Sequence, residues 1–215
     1  MDILPLGLRL CGKNVLVVGG GAVALRKIRL LLRYQAGIVM VTPLARPELR
    51  RMAGAGKIAW RNRVYRRGDV TSGRRPVAVF ACTDSAKING RIAREADAAG
   101  IWVNRADCPD GSTAHVPSIA RLGPLTLAIF SGGRAPVFVK YVRQRLERLL
   151  GPHVSAELNL LAEFRRRLRD RVDSAARRKR ILTRLVQDGA LERMARQPAG
   201  RRRALLNKEL EARTG

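Results

Sequence analysis

The chain has 215 residues, of which 43 are Lys or Arg and 17 are Asp or Glu, for a formal net charge of +26. At 46% hydrophobic residues it holds enough apolar material for a folded core, so it is not a disordered chain, and its length suits one or two domains. No apolar run reaches the ~18–20 residues of a membrane span, and three cysteines without a CxxC pair exclude a disulfide framework and a Cys-based zinc site, which predicts a reducing, cytoplasmic location.

Met1 to Cys11 is partly apolar, but no basic region precedes it and no small-residue cleavage site follows, so it is not read as a signal peptide. Asn14 to Val18 is a short continuous apolar run, the pattern of a strand buried on both faces of a parallel sheet. Gly19-Gly20-Gly21 ends it. Ala22 to Tyr34 reads as a helix, with Val23, Ile28, Leu31 and Leu32 on its apolar side and Arg26, Lys27, Arg29 and Arg33 opposite. Ile38 to Val41 is a second strand and Pro47 to Ala53 a short helix opened by its proline. Lys57 to Asn62 is a third strand despite its charge, and Val77 to Ala81 a fourth. Ser85 to Ala99 is a helix, with Ser85 its N-cap and Gly100 its stop. Ile101 to Asn104 is a fifth strand. Strands and helices alternating at this spacing predict an α/β fold, a Rossmann-like doubly wound parallel sheet.

The pattern then changes. Residues 105–117 read as a loop around Pro109, Gly111 and Pro117. Leu125 to Phe130 is a strand, Ser131-Gly132-Gly133 a turn, and about Ala135 to Leu150 a helix, after which Gly151-Pro152 breaks the chain. From Val154 the sequence is helical and charged, punctuated at Gly189 and Pro198-Ala199-Gly200. Leu158, Leu161, Phe164, Leu168 and Val172 mark one amphipathic helix. The tail is short of apolar mass for a core of its own, so it is expected to pack on the rest of the chain or on a second subunit.

The charge points to an anionic partner: nucleic acid, a membrane surface, or a small polycarboxylate or phosphate. The bland alternative is a solvated surface in which 36 Arg against 7 Lys reflects coding bias. Aromatic residues, at 4%, leave little to stack bases. The excess is also spread, with 26 basic and 9 acidic residues in 1–150 and 17 and 8 in 151–215, unlike a dedicated basic tail.

Gly19-Gly20-Gly21-Ala22-Val23-Ala24 fits G-x-G-x-x-G/A between a strand and a helix. The first glycine allows a tight turn, the second lets backbone N–H groups approach a pyrophosphate, and Ala24 lets helix and strand pack closely. The helix N-terminus adds partial positive charge. In this context the pattern predicts a bound dinucleotide; the alternative is a purely structural turn. The acidic residue that normally meets the adenosine ribose is missing, and Thr42-Pro43-Leu44 stand there instead. The fingerprint therefore leaves NAD and NADP both open, and Arg46 nearby would suit a 2′-phosphate.

Taken with further motifs, these residues resemble a known family. Leu4-Pro5-Leu6 precedes the first strand, and Val17 to Lys27 follows the pattern VGGGxVAxRK. Thr83-Asp84 follows the fourth strand, Asn104 with Asp107-Cys108-Pro109 resembles NxxDxP, and Ser131 to Pro136 resembles SGGxSP. In this order they are similar to the precorrin-2 dehydrogenase/sirohydrochlorin ferrochelatase family, the N-terminal module of sirohaem synthases. The likeness covers about residues 1–150 and, more loosely, the helical tail. The methyltransferase module fused to it in some members needs many more residues and is not expected here.

The resemblance implies NAD-dependent oxidation of precorrin-2 to sirohydrochlorin and, in some members, insertion of ferrous iron. It implies an NAD-binding Rossmann domain over residues 1–113, a small α+β dimerisation region over 114–150 and a helical C-terminal region over 151–215, in a homodimer. Cofactor binding would fall to Gly19, Gly20, Gly21, Ala22, Val23, Thr42, Pro43, Leu44 and Thr83. Substrate binding would fall to Asn104, Ser131, Gly132 and Gly133. Asp107 would be catalytic, as a general base in oxidation or in chelation. The tetrapyrrole bears acetate and propionate side chains, and such a polyanion suits an Arg-rich cleft because guanidinium pairs bidentately with carboxylate; no nucleic acid or membrane is expected as a partner.

Alternatives stay open at several residues. Asp107 could instead make an Asx turn ahead of Pro109. Ser131 matches a phosphorylatable serine beside the family's active site, or it caps the following helix. His115 departs from the bulky apolar residue usual there and is either a metal-facing ligand or an ordinary loop residue. Cys108 either contacts iron or is passive, and His153 is expected at the surface. No His/Cys cluster has zinc-site spacing. Two other functions compete: a dehydrogenase without chelatase activity, and a non-catalytic NAD-sensing module that binds nucleic acid through its basic helices with a steep salt dependence.

Overall fold

Five short apolar runs become the strands of one parallel sheet: β1 (Asn14–Val18), β2 (Gly37–Val41), β3 (Ala59–Arg61), β4 (Ala78–Ala81) and β5 (Trp102–Arg105), in the order β3-β2-β1-β4-β5. Side chains alternate across it. Val15, Val17, Ile38, Met40 and Phe80 serve one face, and Leu16, Val18, Val41, Val79 and Val103 the other. Helices α1 (Ala22–Arg33) and α2 (Pro47–Gly54) cover the first face through Ala24, Leu25, Ile28, Leu31 and Leu49. Helix α3 (Ala86–Ala98) covers the second through Ile92, Ala93 and Ala96. This computed structural model, which describes residues 3–214, thus has the Rossmann-like α/β sheet that the alternation predicts. The first residues of the Met1–Cys11 stretch lie outside the described residues.

Local chemistry sets the element ends much as expected. Pro47 opens α2, the Ser85 hydroxyl accepts the Ile88 N–H at 3.3 Å, and Gly100 turns the chain at φ +64. Two details of α1 differ. Val23 is 36% exposed, and Ala24 and Leu25 are buried in its stead. Lys27, expected on the polar side, lies with its Nζ 5.6 Å from the centre of the Phe80 ring.

The chain forms two compact units, the first ending at Val116 and the second starting at Pro117. The second opens with an antiparallel hairpin, β6 (Ser118–Leu122) and β7 (Leu125–Ile129), then α4 (Pro136–Leu150), α5 (Val154–Arg169), α6 (Ala175–Gln187), α7 (Ala190–Ala195) and α8 (Ala199–Thr214). The sequence reading missed β6. Its Ser118 and Arg121 mask the alternation, and its partner is fixed only by the two-residue turn at Gly123.

The tail corrects a second expectation, because it does build its own core. Leu160, Phe164 and Leu168 of α5 meet Ile181 and Leu185 of α6, Leu191 and Met194 of α7, and Leu206 and Leu210 of α8. Each helix contributes a narrow stripe, so no one segment looks apolar enough. The buried face of α5 runs through Leu160, while Leu158 and Leu161 are only half-buried.

Candidate active site

The carboxyl ends of β1, β2, β4 and β5 are tied into one edge. Gly19 N–H donates to the Val41 carbonyl at 3.0 Å, Cys82 N–H to Val18 at 2.8 Å, and Ala106 N–H to Ala81 at 3.0 Å. The glycine turn sits on this edge. Gly19 has φ +119, and a Cβ there would fall on the Cys82 carbonyl oxygen, so only glycine fits. A Cβ on Gly20 would fall on the Leu44 carbonyl oxygen.

Gly21 differs from both. It stands at the N-cap of α1 with φ −82, offers no side chain to the first-turn N–H groups, and a Cβ there meets nothing within 4 Å. The first turn of α1 carries no acidic residue. The positive end of the helix, lined by backbone donors, therefore opens on free space, which is what a phosphate needs. Ala24 behind it is fully buried, seating α1 on the sheet.

Thr42, Pro43 and Leu44 lie against this turn, with the Arg46 N–H donating to the Gly20 carbonyl at 3.0 Å. The Thr42 hydroxyl donates to the Leu44 carbonyl at 2.7 Å, and its own carbonyl takes the Trp60 indole N–H at 2.9 Å. Thr42 thus shapes the loop from inside, while Leu44 is 82% exposed beside the glycines. Arg46 and Glu48 form a loose pair at 3.8 Å.

Thr83 follows β4 and is held by Asn89, which is fully buried on α3. The Thr83 hydroxyl donates to Asn89 Oδ1 at 2.7 Å, and Asn89 Nδ2 donates to the Thr83 carbonyl at 2.9 Å. The sequence reading missed Asn89. The available signal was an amide on the apolar stripe of Ile92, Ala93 and Ala96.

Asp107 follows β5. Its carboxylate accepts two hydrogen bonds from Arg105, from Nη2 at 2.7 Å and from Nε at 3.3 Å. The guanidinium holds the Asp107 carboxyl below the usual range, against desolvation, which pushes it up. Arg105 was also missed, as one arginine among 36. Asn104 is 8% exposed, and its Nδ2 donates to the Ala114 carbonyl at 2.9 Å, tying β5 to the loop that follows. Its Oδ1 has no partner and is the one buried side-chain polar atom left so among the described residues.

Around these groups, burial pushes the Cys82 thiol up to about 11 and lowers the Lys27 ammonium. Cys108 and His115 are half-buried in their loop. Among the described residues no three His, Cys, Asp or Glu side chains gather as a metal site, and no helix is long and apolar enough to cross a membrane. Ser131, Gly132 and Gly133 belong to the second unit, where the Ser131 hydroxyl accepts the Ala135 N–H at 3.3 Å just ahead of α4.

A family model described as "Putative NAD(P)-binding" matches residues 6–118, the stretch that holds the glycine turn and Asp107. The chain belongs to this NAD(P)-binding family. Its relatives within reach of direct alignment include the siroheme synthase of Tolumonas auensis, 41% identical over 182 residues, which are 84% of this chain and 38% of that protein. Siroheme synthase 1 of Aeromonas salmonicida is 39% identical over 186 residues, 86% of this chain and 39% of that protein. The chain thus spans less than two fifths of the length of these relatives. A solved structure, "SirC, precorrin-2 dehydrogenase", shares the fold with a TM-score of 0.74 and 23% identity, over 97% of this chain and 100% of that one. The resemblance drawn from the ordered motifs holds, and the NAD(P)-binding segment coincides closely with the first compact unit.

Proposed function

We propose that the chain is a cytoplasmic precorrin-2 dehydrogenase, oxidising precorrin-2 to sirohydrochlorin with NAD. The observation that carries the reading is one sheet edge bearing both the phosphate cradle at the mouth of α1 and the Asp107 carboxylate. The residues fit a dinucleotide: Gly21 leaves free space before unpaired helix N–H groups, and no acidic residue stands in the first turn of α1 to repel a phosphate. NAD is chosen on the motif resemblance; Glu48 pairs loosely with Arg46, the arginine that would otherwise be free for an NADP 2′-phosphate.

In this reading the backbone from Gly19 to Val23 holds the pyrophosphate, Thr42, Pro43 and Leu44 close on the adenosine, and Thr83, braced by Asn89, lines the crevice. When bound, the nicotinamide supplies the hydride acceptor. Oxidation removes a hydride and a proton from the tetrapyrrole; Asp107 accepts the proton and, its side chain being 27% exposed, passes it to water. Asn104 Oδ1 accepts an N–H from the tetrapyrrole. Ser131, Gly132 and Gly133 are assigned to substrate binding on the motif resemblance. Surface arginines pair with the substrate's acetates and propionates. A homodimer suits α4, where Val137, Phe138 and Tyr141 are 83%, 62% and 48% exposed.

The test is an anaerobic mixture of the protein, precorrin-2 and NAD, followed by absorbance. Sirohydrochlorin and NADH should appear together. No turnover, with tight and salt-sensitive nucleic-acid binding instead, would replace the enzyme by a sensor. Adding ferrous iron to the same mixture asks whether sirohaem follows, which separates a bifunctional enzyme from a dehydrogenase alone.

A further inference from the structure

Arg105 is seated from several sides. Its N–H donates to the Ser112 hydroxyl at 2.9 Å, and its stem lies against Gly111, where an added Cβ would stand 2.8 Å from Nη1 and 3.0 Å from Cδ. Across α3, a Cβ on Gly90 would stand 3.7 Å from the same Nη1. The side chain is 16% exposed. Exposed ion pairs on free stems are worth little because both partners must be ordered. Here the strand, the turn at Pro109–Gly111 and α3 order the arginine beforehand. Its planar fork then takes one lone pair from each Asp107 oxygen and leaves a lone pair on each.

We propose that Arg105 is a positioning residue for Asp107, fixing the plane of the carboxylate so that its remaining lone pairs are held in one orientation for the proton released on dehydrogenation. The inference rests on the reading of Asp107 as the base. The other groups facing this carboxylate are its own backbone N–H, Cys82 from the end of β4 and the Asn89 amide from α3, with Cys108 and Arg94 beside Arg105 itself. Arg105 is the largest influence among them, so its removal should raise the proton affinity of Asp107. The clamp trades basicity for geometry: a paired carboxylate is a weaker base, but a correctly placed one.

The experiment titrates the Asp107 carboxyl carbon by ¹³C NMR in the intact protein, alongside kcat against pH, for wild type, Arg105→Gln and Arg105→Lys. Arg105→Gln should raise the Asp107 midpoint by ~1–3 pH units and lower kcat about 10²-fold. Arg105→Lys should return the midpoint towards wild type while kcat stays low, because an ammonium carries the charge without the fork. A midpoint unmoved in Arg105→Gln overturns the proposal, as does a wild-type kcat in either variant. Should Arg105→Gln not fold, Arg105→Lys keeps the packed stem, and its kcat decides. Failure of the underlying reading is separate: Asp107→Asn would then turn over at the wild-type rate.

Discussion

The two compact units spend polarity differently. In the first, Thr42, Asp69, Asn89 and Asn104 are buried, and three of them stand at the carboxyl edge of the sheet. In the second, every side chain found buried is apolar, and its ion pairs are mostly helix neighbours such as Arg143 with Glu147 and Arg196 with Glu192. Burying a polar group costs free energy unless it is bonded. The first unit bears most of that cost at the carboxyl edge of its sheet, and among the described residues the second shows no comparable feature. Charge alone does not distinguish them, since both are strongly basic.

The largest expected effect tests the polar edge. Asp107→Asn keeps the shape and removes the charge, and should lower precorrin-2 oxidation by ~10²–10⁴-fold while leaving NAD affinity intact. Because Arg105 depresses the carboxyl, wild type is deprotonated at neutral pH, and its rate should fall only as pH drops through that lowered value. A wild-type rate in Asp107→Asn would turn attention to Asp110 or His115. Next comes the apolar unit. Phe164 is fully buried among α5, α6, α7 and α8, so Phe164→Ala should cost about 3–5 kcal/mol by denaturant unfolding. If the two units divide labour as their interiors suggest, NAD affinity at low denaturant should not change.

A third substitution sharpens the contrast within the edge itself. A Cβ at Gly21 meets nothing within 4 Å, so the melting temperature of Gly21→Val should stay near wild type, yet calorimetry should show NAD binding weakened by at least ~10²-fold. Gly19→Val should instead lose the folded unit, because the clash is with backbone at Cys82 and φ is positive. Retained NAD affinity in Gly21→Val would mean that the cradle holds something else.

How far this was legible follows from range. The glycine turn, the caps at Ser85 and Gly100, and the NxxDxP stretch are local, so spacing alone displays them. Asn89 and Arg105 acquire meaning from what they touch six and two residues away across a loop; the only local sign was that Asn89 lies on the apolar stripe of α3, and Arg105 had none. The tail misled for a related reason: its core is drawn from stripes on four helices, and each stripe alone is too thin to announce a core.

The smallest expected effect concerns Ser131, for which the sequence allowed two roles. Its hydroxyl accepts the Ala135 N–H just before α4 opens at Pro136, a helix start with no side-chain cap of its own. Ser131→Ala should therefore cost about 1 kcal/mol of stability, the usual worth of such a contact. Thr keeps an acceptor at this position, so Ser131→Thr should recover most of it. The proposed substrate role adds a second readout. A hydroxyl that also meets the tetrapyrrole is worth a further ~0.5–1.5 kcal/mol, a few-fold rise in KM at unchanged kcat. A stability loss with KM unmoved would leave Ser131 as a cap alone and confine the polar chemistry to the first unit, the sharpest form the contrast between the two units can take.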